Sequence, residues 1–134
     1  MPKTRVIFYA ERNASPFLQW VDDQQEKVQD KIFDAVARLE ELGFELRRPE
    51  ADLLRDSIYE LGVKKGHVNY RALYFFDDEK DPKTGRVIRR AVVVQGCTKE
   101  GRVDVSDVNI AIRRRANYLP NRRNHTYLPP DEDV

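Results

Sequence analysis

Apolar and polar positions along this chain change period several times, and each change marks an element. "TRVIFYA", Thr4 to Ala10, is β-branched and aromatic and reads as a first strand. In "NASPFLQWVDDQ" Ser15 can cap a helix and Pro16 can take its first position, where a missing N–H does no harm. Val28, Ile32, Ala35, Val36, Leu39 and Leu42 then recur at helical spacing, and Gly43 ends the run. The pattern predicts two helices, or one broken helix, packed as a hairpin. "ELRRPEADLLRD" reads as a loop or a short edge strand.

The period then falls to two. "IYELGVKKGHVNYRALYFF", Ile58 to Phe76, reads as two strands around a turn at Lys64-Lys65-Gly66-His67. "DDEKDPKTGR" is a polar turn with Pro82 and Gly85, and "VIRRAVVVQGCT", Val87 to Thr98, is a further strand. "DVSDVNIAIRRRANYL" returns to helical spacing: Asp104 or Ser106 can cap it, and Val105, Val108, Ile112, Ala116 and Leu119 form one apolar stripe. Strands adjacent in sequence favour antiparallel pairing. The expected fold is therefore α+β: an antiparallel sheet packed against an N-terminal helical hairpin, with a C-terminal helix. Residues 1–119 form a single domain, and residues 120–134, proline-containing and aperiodic, form an extended or disordered tail.

Composition narrows the function classes. A chain of 134 residues, 40% hydrophobic and 35% charged, suits one soluble domain with a modest core. No apolar run approaches a membrane span, and the first residues turn polar too soon for a signal peptide. The single cysteine cannot form an internal disulfide, and no Cys/His cluster has zinc spacing. A cytoplasmic protein with no cofactor and no structural metal is expected, contacting no membrane. The net charge of +1 conceals a separation. Residues 20–60 hold twelve Asp/Glu and six Lys/Arg, whereas residues 61–123 hold seven Asp/Glu and fifteen Lys/Arg. The basic second half points to a polyanion site or to a solvated charged face.

Arg71 is the odd residue, a cation within an otherwise apolar strand. Alternation places it on one face with Asn69 and Leu73. RNA can be cleaved by its own 2′-hydroxyl if a protein orients that group, accepts its proton, neutralises the transition state and protonates the leaving 5′-oxygen. Arg71, with Lys64 and Lys65 at the turn and Lys99 at the end of the next strand, would supply the cations. His67 is a possible general base by its ordinary pKa. Each has a plainer alternative: Arg71 pairing with Glu60 across the hairpin, the lysines and His67 solvated in a turn. Cys97 reads as a small buried strand residue. Arg113, Arg114 and Arg115 would contact RNA phosphates or an acidic partner, or be solvated.

The segments "LRDSIYEL", "VNYRALYFF", "VVVQGCTK" and "VNIAIRRRANYL", spanning about residues 53 to 119, resemble the HigB-like branch of the RelE/ParE toxin superfamily of type II toxin–antitoxin modules. The resemblance implies a RelE-like fold and an mRNA interferase, an endoribonuclease that inhibits translation by cleaving mRNA, usually on the ribosome. It also implies a cognate antitoxin, of the helix-turn-helix DNA-binding kind. Arg71 matches the arginine of the family's Y-R motif, which engages phosphate. Lys99 matches the first lysine after the G-F step, Arg55 the arginine before D-G, and Tyr59 and Glu60 the Y-E pair. The chain departs from the pattern at Gly62, where an arginine is expected, at Glu100, where a lysine is expected, and at Cys97, where an aromatic is expected. Two readings stay open: an endoribonuclease toxin acting without a metal, or a non-catalytic module of the same fold, either an inhibitor of a protein target such as gyrase or an inactive relative.

Overall fold

A computed structural model describes residues 4–99 and 102–129, Lys99 by its backbone alone. In chain order the elements are β1 (Arg5–Phe8), α1 (Pro16–Asp22), α2 (Glu26–Leu42), β2 (Ala51–Arg55), β3 (Ile58–Lys65), β4 (Val68–Lys80), β5 (Val87–Lys99) and α3 (Val105–Tyr118). Single 3-10 turns occur at Gly43–Glu45 and Arg123–His125. The strands form one five-stranded sheet in the order β1-β5-β4-β3-β2. All neighbours are antiparallel except β1 and β5, which run parallel. The fold is thus α+β, as the alternation of periods indicates, with one parallel edge strand that local pattern does not specify. Among the described residues no helix is long and apolar enough to cross a membrane.

Both faces of the sheet are covered, each by its own core. The Ser15 hydroxyl accepts from Leu18 N at 3.2 Å and starts α1 at Pro16, and Gly43 closes α2. The apolar faces of α1 and α2, through Phe17, Val21, Ile32, Val36 and Leu39, pack on Leu61, Ala72, Tyr74, Ala91 and Val93. The opposite strand residues, Ile58, Leu73, Phe75, Val92 and Val94, meet α3 through Val108, Ala111 and Tyr118. The buried stripe of α3 differs from the expected one. Val108 is buried and Ile112 and Leu119 pack beside it, but Val105 and Ala116 are exposed, while Ala111 and Tyr118 carry the contact. The helix is rotated so that tyrosine, the largest amphipathic side chain on it, enters the core.

Two strand limits also move. The hairpin turn is Gly66-His67 alone, with Gly66 at a left-handed φ of 64° that suits a two-residue connection. Lys64 and Lys65 are therefore the last residues of β3. The polar run Asp77–Lys80 is not a loop but the end of β4. Its acids face arginines, Asp77 opposite Arg90 and Asp78 opposite Arg89, so cross-strand charge pairs sustain the ladder beyond the apolar stretch.

The segment after α3 is tied to the sheet. Thr126 bridges to Tyr9, Tyr127 N donates to Phe8 O at 2.9 Å, and Asn13 exchanges two hydrogen bonds with Leu128. Arg122 forks onto Asp77 at 2.8 and 2.9 Å. Residues 120–129 thus lie along the outer edge of β1 and the C-terminal end of α3, whereas residues 130–134 lie outside the described residues. Burial disfavours the charged form of Asp77, yet the Arg122 fork and the nearby Arg90 outweigh it and hold the carboxyl below its ordinary range.

Two stability outcomes follow from these contacts. At Gly96 an added Cβ would lie 2.2 and 2.3 Å from ring atoms of Trp20, which lies over β5. Gly96→Ala should cost roughly 1–3 kcal/mol through overpacking, read as a lower denaturation midpoint; an unchanged midpoint would show that the indole moves freely. Asp77→Asn should cost about 2 kcal/mol, less than a fully buried pair because Arg122 is half exposed. The folded carboxyl titrates below the unfolded one, so its contribution is whole above the unfolded value of about 3.9 and fades as pH falls through the folded value. Denaturant melts should show the gap between wild type and Asp77→Asn closing in that acid range; a gap independent of pH would contradict the assignment.

Candidate functional site

The face that carries α3 is covered along only part of its length. Beyond Leu73, towards the hairpin, it continues as two cross-strand rows. Gly62, Arg71 and Cys97 stand opposite one another on β3, β4 and β5, and Lys64, Asn69 and Lys99 form the next row. A third row, Glu60, Leu73 and Gln95, lies against α3. Lys64 is exposed, and Cys97 is buried. The strand alternation thus gathers Arg71, Lys64 and the register position of Lys99 on one face.

Arg71 opens into a cleft of about 570 Å³. Its floor holds Arg71 and Glu60, β2 contributes Asp52, Leu53, Leu54 and Arg55, and the N-terminal turn of α3 contributes Val105 and Val108. Arg48 and Arg102 complete the rim. Four guanidinium groups and two carboxylates line it; Arg48 pairs with Asp52 at 2.8 Å and Arg55 with Asp56 at 2.7 Å, which leaves a small surplus of cations. Leu53 and Val105 are exposed large apolar residues on its walls.

The Arg71 guanidinium forms an ion pair with Glu60, the two side chains being 23% and 13% exposed. The plainer expectation for Arg71 and the site expectation therefore hold together: the pair lies in the cleft. Its Nη1 is 3.8 Å from where a Cβ on Gly62 would be, an ordinary contact distance, so the two positions adjoin. The Arg71 Nε is buried and has no hydrogen-bond partner among the described residues.

The other expected residues divide. Arg55 lies in the cleft, bound to Asp56 at 2.7 Å and to Asn109 of α3. Lys65, one residue past Lys64, points to the opposite face and is half-buried. His67 is exposed in the turn. Arg113 is exposed on α3, but Arg114 is committed to the fold: its Nη1 donates to Val94 O at 2.7 Å and to Gln95 Oε1 at 2.5 Å. Burial pushes the Arg114 pKa down. Arg115 lies over the Phe75 ring at 5.6 Å, and Arg122 is held by Asp77. Arg113, Arg114 and Arg115 therefore do not form one continuous basic surface. Glu100 lies outside the described residues.

Residues 19–116 match the family described as phage derived protein Gp49-like (DUF891). The chain belongs to that family. The Gp49-like proteins are a RelE/HigB-like toxin family of toxin–antitoxin systems, and membership implies an antitoxin partner. The match takes in every residue of the cleft. No curated protein and no solved structure matches the chain. Arg48 and Arg102 belong to this Gp49-like cleft but stand outside the motifs that mark it in the sequence. Both lie in connections, where alternation carries no signal, and only the register of the folded sheet brings them to Arg71. Glu60 was visible as half of a Y-E pair, and its place in the cleft follows from its diagonal position to Arg71.

The ion pair can be measured directly. A surface pair is worth below about 1 kcal/mol and breaking a buried one costs about 3–5 kcal/mol. This pair is intermediate, so Arg71→Ala should destabilise by roughly 2 kcal/mol. Adding Glu60→Gln should recover part of the loss in a double-mutant cycle of denaturant melts. Strictly additive losses would mean that the pair has no mutual energy.

Proposed function

We propose that this Gp49-like protein is the toxin of a type II toxin–antitoxin module and an endoribonuclease that cleaves mRNA, at the ribosome, through the RNA's own 2′-hydroxyl. The observation that carries the reading is the Arg71–Glu60 pair on the floor of a cleft with a surplus of arginines. Such a pair joins a proton acceptor to a cation, the two functions that 2′-hydroxyl attack requires.

In the proposed reaction Glu60 accepts the 2′-hydroxyl proton as that oxygen attacks phosphorus. Arg71 exchanges part of its bond to Glu60 for the phosphorane oxygens, where negative charge develops, and its Nε gains an acceptor. Lys64 and Lys99, one row away, neutralise the scissile phosphate, and the proton that Glu60 took is returned to the departing 5′-oxygen, so that none is gained or lost overall. The products are a 2′,3′-cyclic phosphate and a 5′-hydroxyl. Arg55, Arg48 and Arg102 hold flanking phosphates, and Leu53 and Val105 offer apolar surface to a base. His67, exposed in the turn, and Lys65, half-buried on the opposite face, act at most on distant phosphates.

A second reading has its own support. Glu60 already neutralises Arg71, and Gly62 supplies no second cation beside it. A binding module that inhibits a protein target would show growth inhibition without RNA cleavage.

Arg71→Ala should abolish growth inhibition and lower the cleavage rate about 10²–10³-fold, the cost of removing one preorganised donor at a developing oxyanion. Arg71→Lys separates charge from geometry and should restore only part of the rate. Primer extension on mRNA from induced cells reads the cleavage. A folded Arg71→Ala protein as active as wild type would overturn the assignment. Lys99→Ala should weaken substrate binding more than the rate at saturation, and to a smaller total extent than Arg71→Ala. A larger loss at Lys99 would reverse their roles.

A further inference from the structure

A second arginine pocket lies at the other end of α3. It has a volume of about 540 Å³ and is lined by Arg5, Arg90, Arg122 and Arg123 with Tyr118 and Thr126. Arg5, Arg90 and Asp77 form one cross-strand row on β1, β5 and β4. Alternation puts that row on the face of Ile7, Phe75 and Val92, which is the face of α3 and of the cleft. The cleft meets α3 at Val105 and Val108, and the pocket meets it at Tyr118. The helix has 14 residues, so the two sites are separated by about 21 Å along it.

The charges in the pocket do not cancel. Asp77 takes the Arg122 fork and lies 3.9 Å from Arg90 Nη1, and Glu79 binds Arg90 Nη2 at 2.9 Å. The side chains of Arg5 and Arg123, both exposed, have no ion pair or hydrogen bond among the described residues. Arg90 Nη1 is buried, with no hydrogen-bond partner among them. Two guanidinium groups are thus unopposed around a donor that lacks an acceptor. Between the two sites the outer surface of α3 presents Asn109 and Arg113, and no Asp or Glu occurs from Val108 to Pro129. A like-charged path free of carboxylates and ending in such a pocket suits a chain of phosphates.

We infer that the Arg5–Arg90–Arg123 pocket is a second phosphate-binding subsite, holding the backbone of a single-stranded RNA whose scissile phosphate lies in the cleft. The inference rests on the proposed RNA-cleaving reading and extends it: the substrate runs along α3 and is gripped at both ends. Arg122 and Asp77 shape the pocket and fasten the segment that closes it, while Arg5 and Arg123 bind. The unpaired state of these two arginines follows from that role, since a contact that awaits its ligand has no partner in the free chain.

The test compares wild type, the double variant Arg5→Ala/Arg123→Ala and the single variant Arg71→Ala, by fluorescence anisotropy with a 2′-deoxy-blocked RNA of about twelve nucleotides and with a dinucleotide. Both arginines of the double variant are exposed and unpaired, so its melting midpoint should equal that of wild type. The longer RNA should bind it about tenfold more weakly, with a salt slope shallower by about 1.4, two phosphate contacts being lost. The dinucleotide, too short to span α3, should respond to Arg71→Ala and not to the double variant. Equal affinity and equal slope for the longer RNA in wild type and double variant would overturn the subsite. So would a pocket that binds poly-glutamate while RNA affinity is unchanged by the double variant, which would make it a protein contact. Weakened binding in the double variant with none in Arg71→Ala would leave the subsite standing and remove the cleft reading.

Discussion

The long antiparallel pairing of β4 with β5 governs the molecule. Each strand has 13 residues, and a ladder of that length has two faces to cover. At about 3.3 Å per residue it extends for some 43 Å, while α3 is about half as long. The helical hairpin lines one face with Tyr74, Ala91 and Val93, and α3 shields the other over Leu73, Phe75, Val92 and Val94. At both ends of α3 the sheet outruns its cover. Apolar side chains there would face water, and the chain places arginines instead: Arg71 beyond one end and Arg90 beyond the other. The two arginine-lined hollows are a consequence of unequal lengths.

Placing a cation on a partly covered strand has an electrostatic consequence. An arginine at 23% exposure loses much of its hydration and needs an opposite charge, which Glu60 provides from the neighbouring strand. The same pairing occurs at the other end, where Asp77 holds Arg122 and faces Arg90. Asp77 serves two arginines at once, and at each end an arginine N–H is left without a hydrogen-bond partner among the described residues, Arg71 Nε at one and Arg90 Nη1 at the other.

Much of the fold was legible because local signals and tertiary structure agree. Ser15-Pro16 and Gly43 bound the helical hairpin in the structure as in the sequence. Arg71 stood out because it breaks an apolar alternation, and Cys97 is buried as its strand position implies. The misreadings have identifiable causes. Asp77–Lys80 looked like a loop because polar residues dominate it, yet Asp77 and Asp78 find arginines across the ladder, and Glu79 and Lys80 pair with Ile88 and Val87, all from the following strand. Lys65 was grouped with Lys64 as a turn residue. Once the turn contracts to Gly66-His67, alternation sends the two lysines to opposite faces. The parallel placement of β1 and the arrival of Arg48 and Arg102 at the cleft depend on long-range register, which no local period encodes. The arginines of α3 looked equivalent in sequence, but helix rotation gives one to solvent, one to a strand carbonyl and one to an aromatic face.

The central claim is that this cleft directs an RNA's own 2′-hydroxyl at its phosphate. The chemistry of the severed ends tests it most directly. Purified protein, with ribosomes and a defined mRNA, should yield fragments ending in a 2′,3′-cyclic phosphate and beginning with a 5′-hydroxyl, and an mRNA with a 2′-deoxy substitution at the cleavage position should stay intact. Fragments beginning with a 5′-phosphate, or cleavage that continues at the deoxy position, would contradict the account, because the attacking oxygen would then come from water rather than from the RNA.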